Sequence, residues 1–130
     1  MKKNFSVGIG GALGAVCRFG VQHIPIPVPE PYLPFLTMAV NLFGSFLLGF
    51  FLIFFIKCLP IHADLRLGIT TGFLGGFTTF STLCKETFFL AGSGNAALCA
   101  LYAGATVLLG LAAAWFGILC AKRLERRRVA

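Results

Sequence analysis

Residues 72–86 read GFLGGFTTFSTLCKE, and the way a chain accommodates this run decides the fold. It lies in the middle of an apolar segment covering about 65–91. Gly72, Gly75 and Gly76 cost a helix backbone entropy, and the β-branched Thr78 and Thr79 that follow lose side-chain freedom in a helical turn. The segment is therefore expected to be helical at both ends and to open near 75–79. A helix that opens inside a membrane frees carbonyls with no water to meet them, so a bound cation or neighbouring hydroxyls must do so. A glycine face used only for close packing is the alternative that composition leaves open. A phosphate loop is excluded, because no Gly-Lys-Ser/Thr follows the glycines.

Working outward, the surroundings of this run are apolar throughout. Of 130 residues 58% are hydrophobic and only 12% charged, whereas soluble domains keep about a quarter of their residues charged. A membrane crossing takes roughly 20 apolar residues, and the chain divides into four such stretches: about 4–24, 33–57, 65–91 and 96–121, with a basic tail at 122–130. Pro25, Pro27, Pro29, Pro31 and Pro34 break the chain after the first stretch, Pro60 with His62 and Asp64 after the second, and Gly92-Ser93-Gly94-Asn95 after the third. The expected fold is all-α, a single transmembrane domain of four helices with a broken third. No soluble catalytic domain fits in this length. The start is read as a first membrane helix and not as a cleaved signal peptide, since the apolar run continues past Arg18 without a small-residue cleavage site.

Charge gives the orientation. Lys2, Lys3, Lys57, Arg66, Lys122, Arg123, Arg126, Arg127 and Arg128, nine of the eleven basic residues, fall on the side that holds both termini. Positive residues stay inside, so a multi-pass protein of the cell inner membrane with both termini cytoplasmic is expected. A net charge of +7 gathered at chain ends does not make the basic face that nucleic acid needs; the partner of these charges is membrane lipid. The five cysteines, Cys17, Cys58, Cys84, Cys99 and Cys120, contain no CxxC pair and read as packed thiols. His23 and His62 stand alone near helix ends.

Polar side chains are costly in lipid and mark where function is sought. Thr37, Asn41 and Ser45 recur every four residues on the second segment, with Gly44 beside them, and Tyr102, Thr106 and Gly110 repeat that spacing on the fourth. Either stripe alone fits interhelical hydrogen bonding; the two together read as a track. Arg18 is the basic residue deep in the first segment, suited to anchoring or to a vestibule, and Glu86 is the acid in the third, one turn beyond Thr82. Neither an acid or histidine pair nor a nucleophile beside a base is present, so an enzyme is not expected.

Three stretches resemble the Fluc (CrcB) family of small fluoride channels: GGALGAVCRF at 10–19, TMAVNLFGSFLLG at 37–49 and the run at 72–86. The resemblance covers nearly the whole chain. It implies an antiparallel dimer of four-helix subunits with two fluoride pores at the interface and a central structural Na+. By the same resemblance, Na+ is held by the carbonyls of Gly75 and Thr78, and the fluoride pathway takes Asn41, Phe80, Ser81, Thr82, Tyr102 and Thr106, with Arg18 and Glu86 at the vestibule. The chemistry is sensible: fluoride needs donors to replace its water, which amides, hydroxyls and the positive rim of a phenyl ring supply, and neutral donors let it leave again.

Two departures from the family pattern stand out. The pattern has a second phenylalanine three residues after the first, where this chain has Leu83. Members that insert both ways balance their basic residues, whereas nine on one side dictate a single orientation. Both favour a heterodimer with an oppositely oriented paralogue over a dimer of this chain with itself. Two rivals remain: a non-conducting assembly subunit, and a small multidrug-exporter subunit, which would need a carboxylate in its first helix that this chain lacks.

Overall fold

In the computed structural model the described residues are 2–25 and 34–129, and all regular structure among them is helical. Helix α1 spans Lys2–Gln22 and α2 spans Phe35–Cys58. Pro27, Pro29, Pro31 and the expected second-helix start at residue 33 lie outside the described residues; α2 begins directly after Pro34. Its last turn, Phe54–Cys58, widens to a π-type turn closed by Leu59 N–H on the Phe54 carbonyl at 2.8 Å. Pro60, without an N–H, stops it there.

The third segment restarts at Ala63, where the His62 ring accepts the Asp64 N–H. Ala63–Leu67, a widened stretch Gly68–Phe73 and Leu74–Phe77 run on as one rod, α3, over residues 63–77. Thr70 and Thr78 turn their hydroxyls onto the carbonyls of Arg66 and Leu74, 2.8 and 2.9 Å away, which settles two polar groups within the helix. After an interruption at residues 78–79, α4 spans Phe80–Gly92. Gly94, at φ 80°, makes the turn into α5, which spans Ala96–Val129.

Glycine seams hold the rods together. A Cβ on Gly10 or Gly14 of α1 would strike the Gly68 or Phe73 carbonyl, and one on Gly72 or Gly76 would strike the backbone of Val7 or Gly11. On the other side Gly49 of α2 rests on the Ala114 carbonyl and Gly117 of α5 on that of Phe46. Lipid offers helices no hydrophobic gain on pairing, so such close backbone approach is what remains to drive it. Phe5, Phe88 and Trp115 meanwhile stay exposed, as suits surfaces facing hydrocarbon. Helices α1, α2 and α5 are each long and apolar enough to cross a membrane.

The elements share two ends. At one, Ser6 touches Gly68, Lys57 pairs with Glu125 at 3.7 Å, and Arg128 donates to the Cys58 carbonyl at 2.6 Å. At the other, Gln22, Thr37 and Glu86 are linked. The beginning of α1 and the end of α5 thus lie at the same end. The stretch 122–129, expected as a tail, is helical: Lys, Arg, Leu and Glu are good helix formers, and the Lys57 and Cys58 contacts tie it to α2. With 34 residues, α5 is roughly 50 Å long, well beyond the ~30 Å of hydrocarbon.

Candidate functional site

The break falls on two residues. Thr78 (φ −72°, ψ 155°) and Thr79 (φ −145°, ψ 121°) are both extended, inside the expected window but at its far end. Glycine therefore does not itself supply the opening; Gly75 and Gly76 lie within the last turn of the preceding helix, which ends at Phe77. Asn41 of α2 holds the open strand. Its Oδ1 accepts the Thr79 N–H at 2.8 Å and its Nδ2 donates to the Thr79 carbonyl at 2.9 Å, a pairing of the kind made between β-strands. The Thr79 hydroxyl accepts the Thr82 N–H at 3.1 Å, capping α4, and donates to Thr82 Oγ1 at 2.9 Å. Gly44 makes room for the Thr78 methyl group.

These bonds release particular carbonyls. In an unbroken helix Thr79 N–H would return to the Gly75 carbonyl and Thr82 N–H to that of Thr78; Asn41 and Thr79 take those donors instead. Gly76, between them, has its carbonyl occupied by Arg18 Nε at 3.2 Å. Gly75 is exposed, with open space around its Cα. Backbone carbonyls freed at an interrupted helix are the donor type that transport proteins use for Na+, so the residues here fit such an ion.

Beside the break lies a groove of about 320 Å³ lined by Asn41, Ser45, Thr78, Thr79, Phe80, Leu83, Thr106 and Gly110 among others. Neutral donors and apolar walls share it. Asn41 and Ser45 of the α2 stripe and Thr106 and Gly110 of the α5 stripe therefore face one space, while Thr37 and Tyr102 do not line it. A second recess of about 210 Å³ is lined by Gln22, Thr37, Thr82 and Glu86 with Pro34 and Leu36. The Thr79–Thr82 hydroxyl pair spans from one to the other. Glu86 receives Thr37 Oγ1 on one oxygen at 2.8 Å and the Tyr102 hydroxyl on the other at 2.6 Å; Thr37 and Tyr102 are buried. No basic side chain lies within ion-pair distance of Glu86 among the described residues.

The expected site residues are thus not all in one place. Asn41, Phe80 and Thr106 share the groove with Thr78, while Thr82 and Glu86 line the recess. Tyr102 meets the recess through Glu86, and its ring borders an apolar pocket with Phe35, Met38, Leu101 and Ala105. Thr106 spends its hydroxyl proton on the Tyr102 carbonyl at 2.8 Å. Ser81 is exposed, 3.4 Å from the Thr79 hydroxyl, and Phe80 is 75% exposed. Arg18 lines neither space; it sits behind the break on α1. Sequence reasoning missed Thr79 as the pivot and Gln22 as a partner of Thr37. The spacing of Thr79 and Thr82, a hydroxyl three residues ahead of a helical N–H, was the capping signal for the first. Gln22 left no signal of its own.

An interrupted helix clamped by a neighbour's amide, beside a groove of uncharged donors in an all-helical, lipid-suited body, defines a multi-pass membrane protein built like an ion or solute pathway. The chain belongs to the CrcB family: the family model described as "CrcB-like protein, Camphor Resistance (CrcB)" matches residues 5–118, which bears out the resemblance read from the sequence. Relatives called "Fluoride-specific ion channel FluC" include that of Chlorobaculum tepidum, 43% identical over 122 residues (94% of this chain, 96% of the relative). That of Allorhizobium ampelinum is 40% identical over 118 residues (91% and 94%), and that of Geotalea daltonii 38% over 116 (89% and 94%).

Proposed function

We propose that the chain is a subunit of a fluoride channel, not an enzyme, through which cytoplasmic fluoride leaves the cell passively. The observation that carries this reading is the groove of neutral donors beside the Asn41-clamped break, in a chain whose relatives are named fluoride channels. Fluoride enters cells as the neutral acid and dissociates inside, so a passive anion path suffices to relieve it. The remaining Asn41 amide hydrogen, the hydroxyls of Ser81 and Thr82 and the rim of Phe80 offer the donors, while Tyr102 and Thr106 join the path only by turning their hydroxyls from the Glu86 carboxylate and the Tyr102 carbonyl; Glu86 stands at one approach and Arg18 lies behind the break.

In this reading α3 and α4 together form the third of four crossings, with both termini cytoplasmic. The subunit pairs antiparallel with a second one across the face that carries the exposed Gly75, Phe80 and Ser81. Carbonyls of Gly75 and Thr78 from both subunits would hold a central Na+, which neutralises oxygens otherwise bare at mid-membrane and ties the halves together. Nine basic residues on one side and Leu83 in place of a second ring favour a partner that is an oppositely oriented paralogue.

Fluoride efflux from liposomes, followed with a fluoride electrode, tests this. Flux is expected when this chain is reconstituted with such a paralogue and not from this chain alone. Flux from the chain alone overturns the need for a partner, and no flux in either preparation makes it a non-conducting assembly subunit.

A further inference from the structure

Arg18 carries its charge within α1 with no carboxylate in ion-pair reach among the described residues. Its Nε instead donates across to the Gly76 carbonyl at 3.2 Å. Glycine contacts set the register that brings it there. Gly14, one turn before Arg18, lies on Phe73 and Phe77, and Gly76 lies on Gly11. At a helix end a carbonyl needs a new donor, and Gly76 sits in the last turn of α3, where Phe80 N–H no longer returns to it. A charged donor makes the stronger bond. Successive carbonyls of a helix leave its axis about 100° apart, so fixing that of Gly76 toward α1 also fixes where that of Gly75 points. Gly75 is the exposed residue of the pair.

We propose that Arg18 is a positioning residue for the cation seat: by holding the Gly76 carbonyl on the α1 side it keeps the last turn of α3 wound and leaves the Gly75 and Thr78 carbonyls directed at the ion. The proposal rests on the Na+ reading above. It assigns Arg18 a role behind the break, through backbone that touches the ion, and requires no contact between the guanidinium and fluoride. Residues that orient metal ligands without touching the metal typically alter its affinity 10- to 100-fold.

The test measures thermal unfolding of the assembled channel in detergent while Na+ replaces N-methyl-D-glucamine at constant ionic strength. The wild-type Tm is expected to rise with Na+. In Arg18→Leu the Na+ concentration at half-effect is expected to move up by about tenfold or more, and in Arg18→Lys, which keeps charge and reach but loses the planar fork, by less. A Tm lowered equally at every Na+ concentration, with the wild-type midpoint, overturns the proposal and reduces Arg18 to a packing residue. If Arg18→Leu does not assemble, Arg18→Lys decides, and a wild-type midpoint there overturns it. A wild type indifferent to Na+ overturns the sodium reading, and this proposal with it.

Discussion

Asn41 faces two demands at once. Its amide completes both backbone hydrogen bonds of Thr79 and still borders the groove. Asn41→Asp separates them. The carboxylate still accepts the Thr79 N–H but can no longer donate to the Thr79 carbonyl, a loss of about 1–3 kcal/mol that thermal unfolding will register without abolishing the Thr79 cap on α4. Flux is expected to suffer more. A fixed negative charge about 4 Å from a passing anion opposes it by about 4 kcal/mol at an effective dielectric of about 20, on the order of a thousandfold less occupancy. Fluoride efflux lost from a protein that still assembles is the expected result; unchanged efflux removes Asn41 from the pathway. The sequence pointed to Asn41 by its place in a polar stripe, but not to Thr79 as its partner. Thirty-eight positions separate the two, and only packing of α2 against the third segment brings them together. Glu86 likewise stood out as an acid in an apolar run, while its donors, Thr37 and Tyr102, sit on two other helices.

At the scale of helices the same chain uses glycine in two ways, and substitution tells them apart. A Cβ at Gly14 would land on the Phe73 carbonyl, whereas one at Gly8 on the same helix meets nothing within 4 Å. Gly14→Ala is expected to destabilise by about 1–3 kcal/mol through overpacking. Gly8→Ala is expected to be neutral or to stabilise by up to about 1 kcal/mol, since alanine is the better helix former. Thermal unfolding of both in the same detergent checks the contrast, and equal effects would mean that α1 and α3 are not held by backbone contact. Helix positions were legible because apolar runs bounded by proline and glycine leave little choice. The opening in the third segment was legible as a window over 75–79, within which the glycines stay helical and the threonines after them are extended. The widened turns at Phe54–Cys58 and Gly68–Phe73 were not legible, because no side-chain pattern distinguishes a five-residue hydrogen-bond step from a four-residue one. The helical continuation through 122–129 was hidden by its charge, which the membrane criterion reads as an end even though the residues themselves favour helix.

For the whole molecule the governing quantity is the imbalance of charge between its two ends. Lys57 and Arg128 are engaged at the shared end of α2 and α5; Lys2, Lys3, Lys122, Arg123, Arg126 and Arg127 add to the charge that sets insertion. Replacing these six by glutamine and Ser93 and Asn95 by lysine leaves Lys57, Arg66 and Arg128 at one end facing two lysines in the turn opposite, a near-balance that lets the chain enter the membrane both ways. A carboxy-terminal fluorescent reporter that matures only in the cytoplasm is expected to lose roughly half its signal in that variant, while a reporter active only outside gains it. If fixed orientation is what makes a partner necessary, the two populations can pair with each other, and liposomes holding the variant alone will release fluoride where those holding the wild type do not. Mixed insertion without release would move the requirement from orientation to the groove, where Leu83 stands beside Asn41 and Phe80. Leu83→Phe in the same background then asks whether a second ring restores conduction.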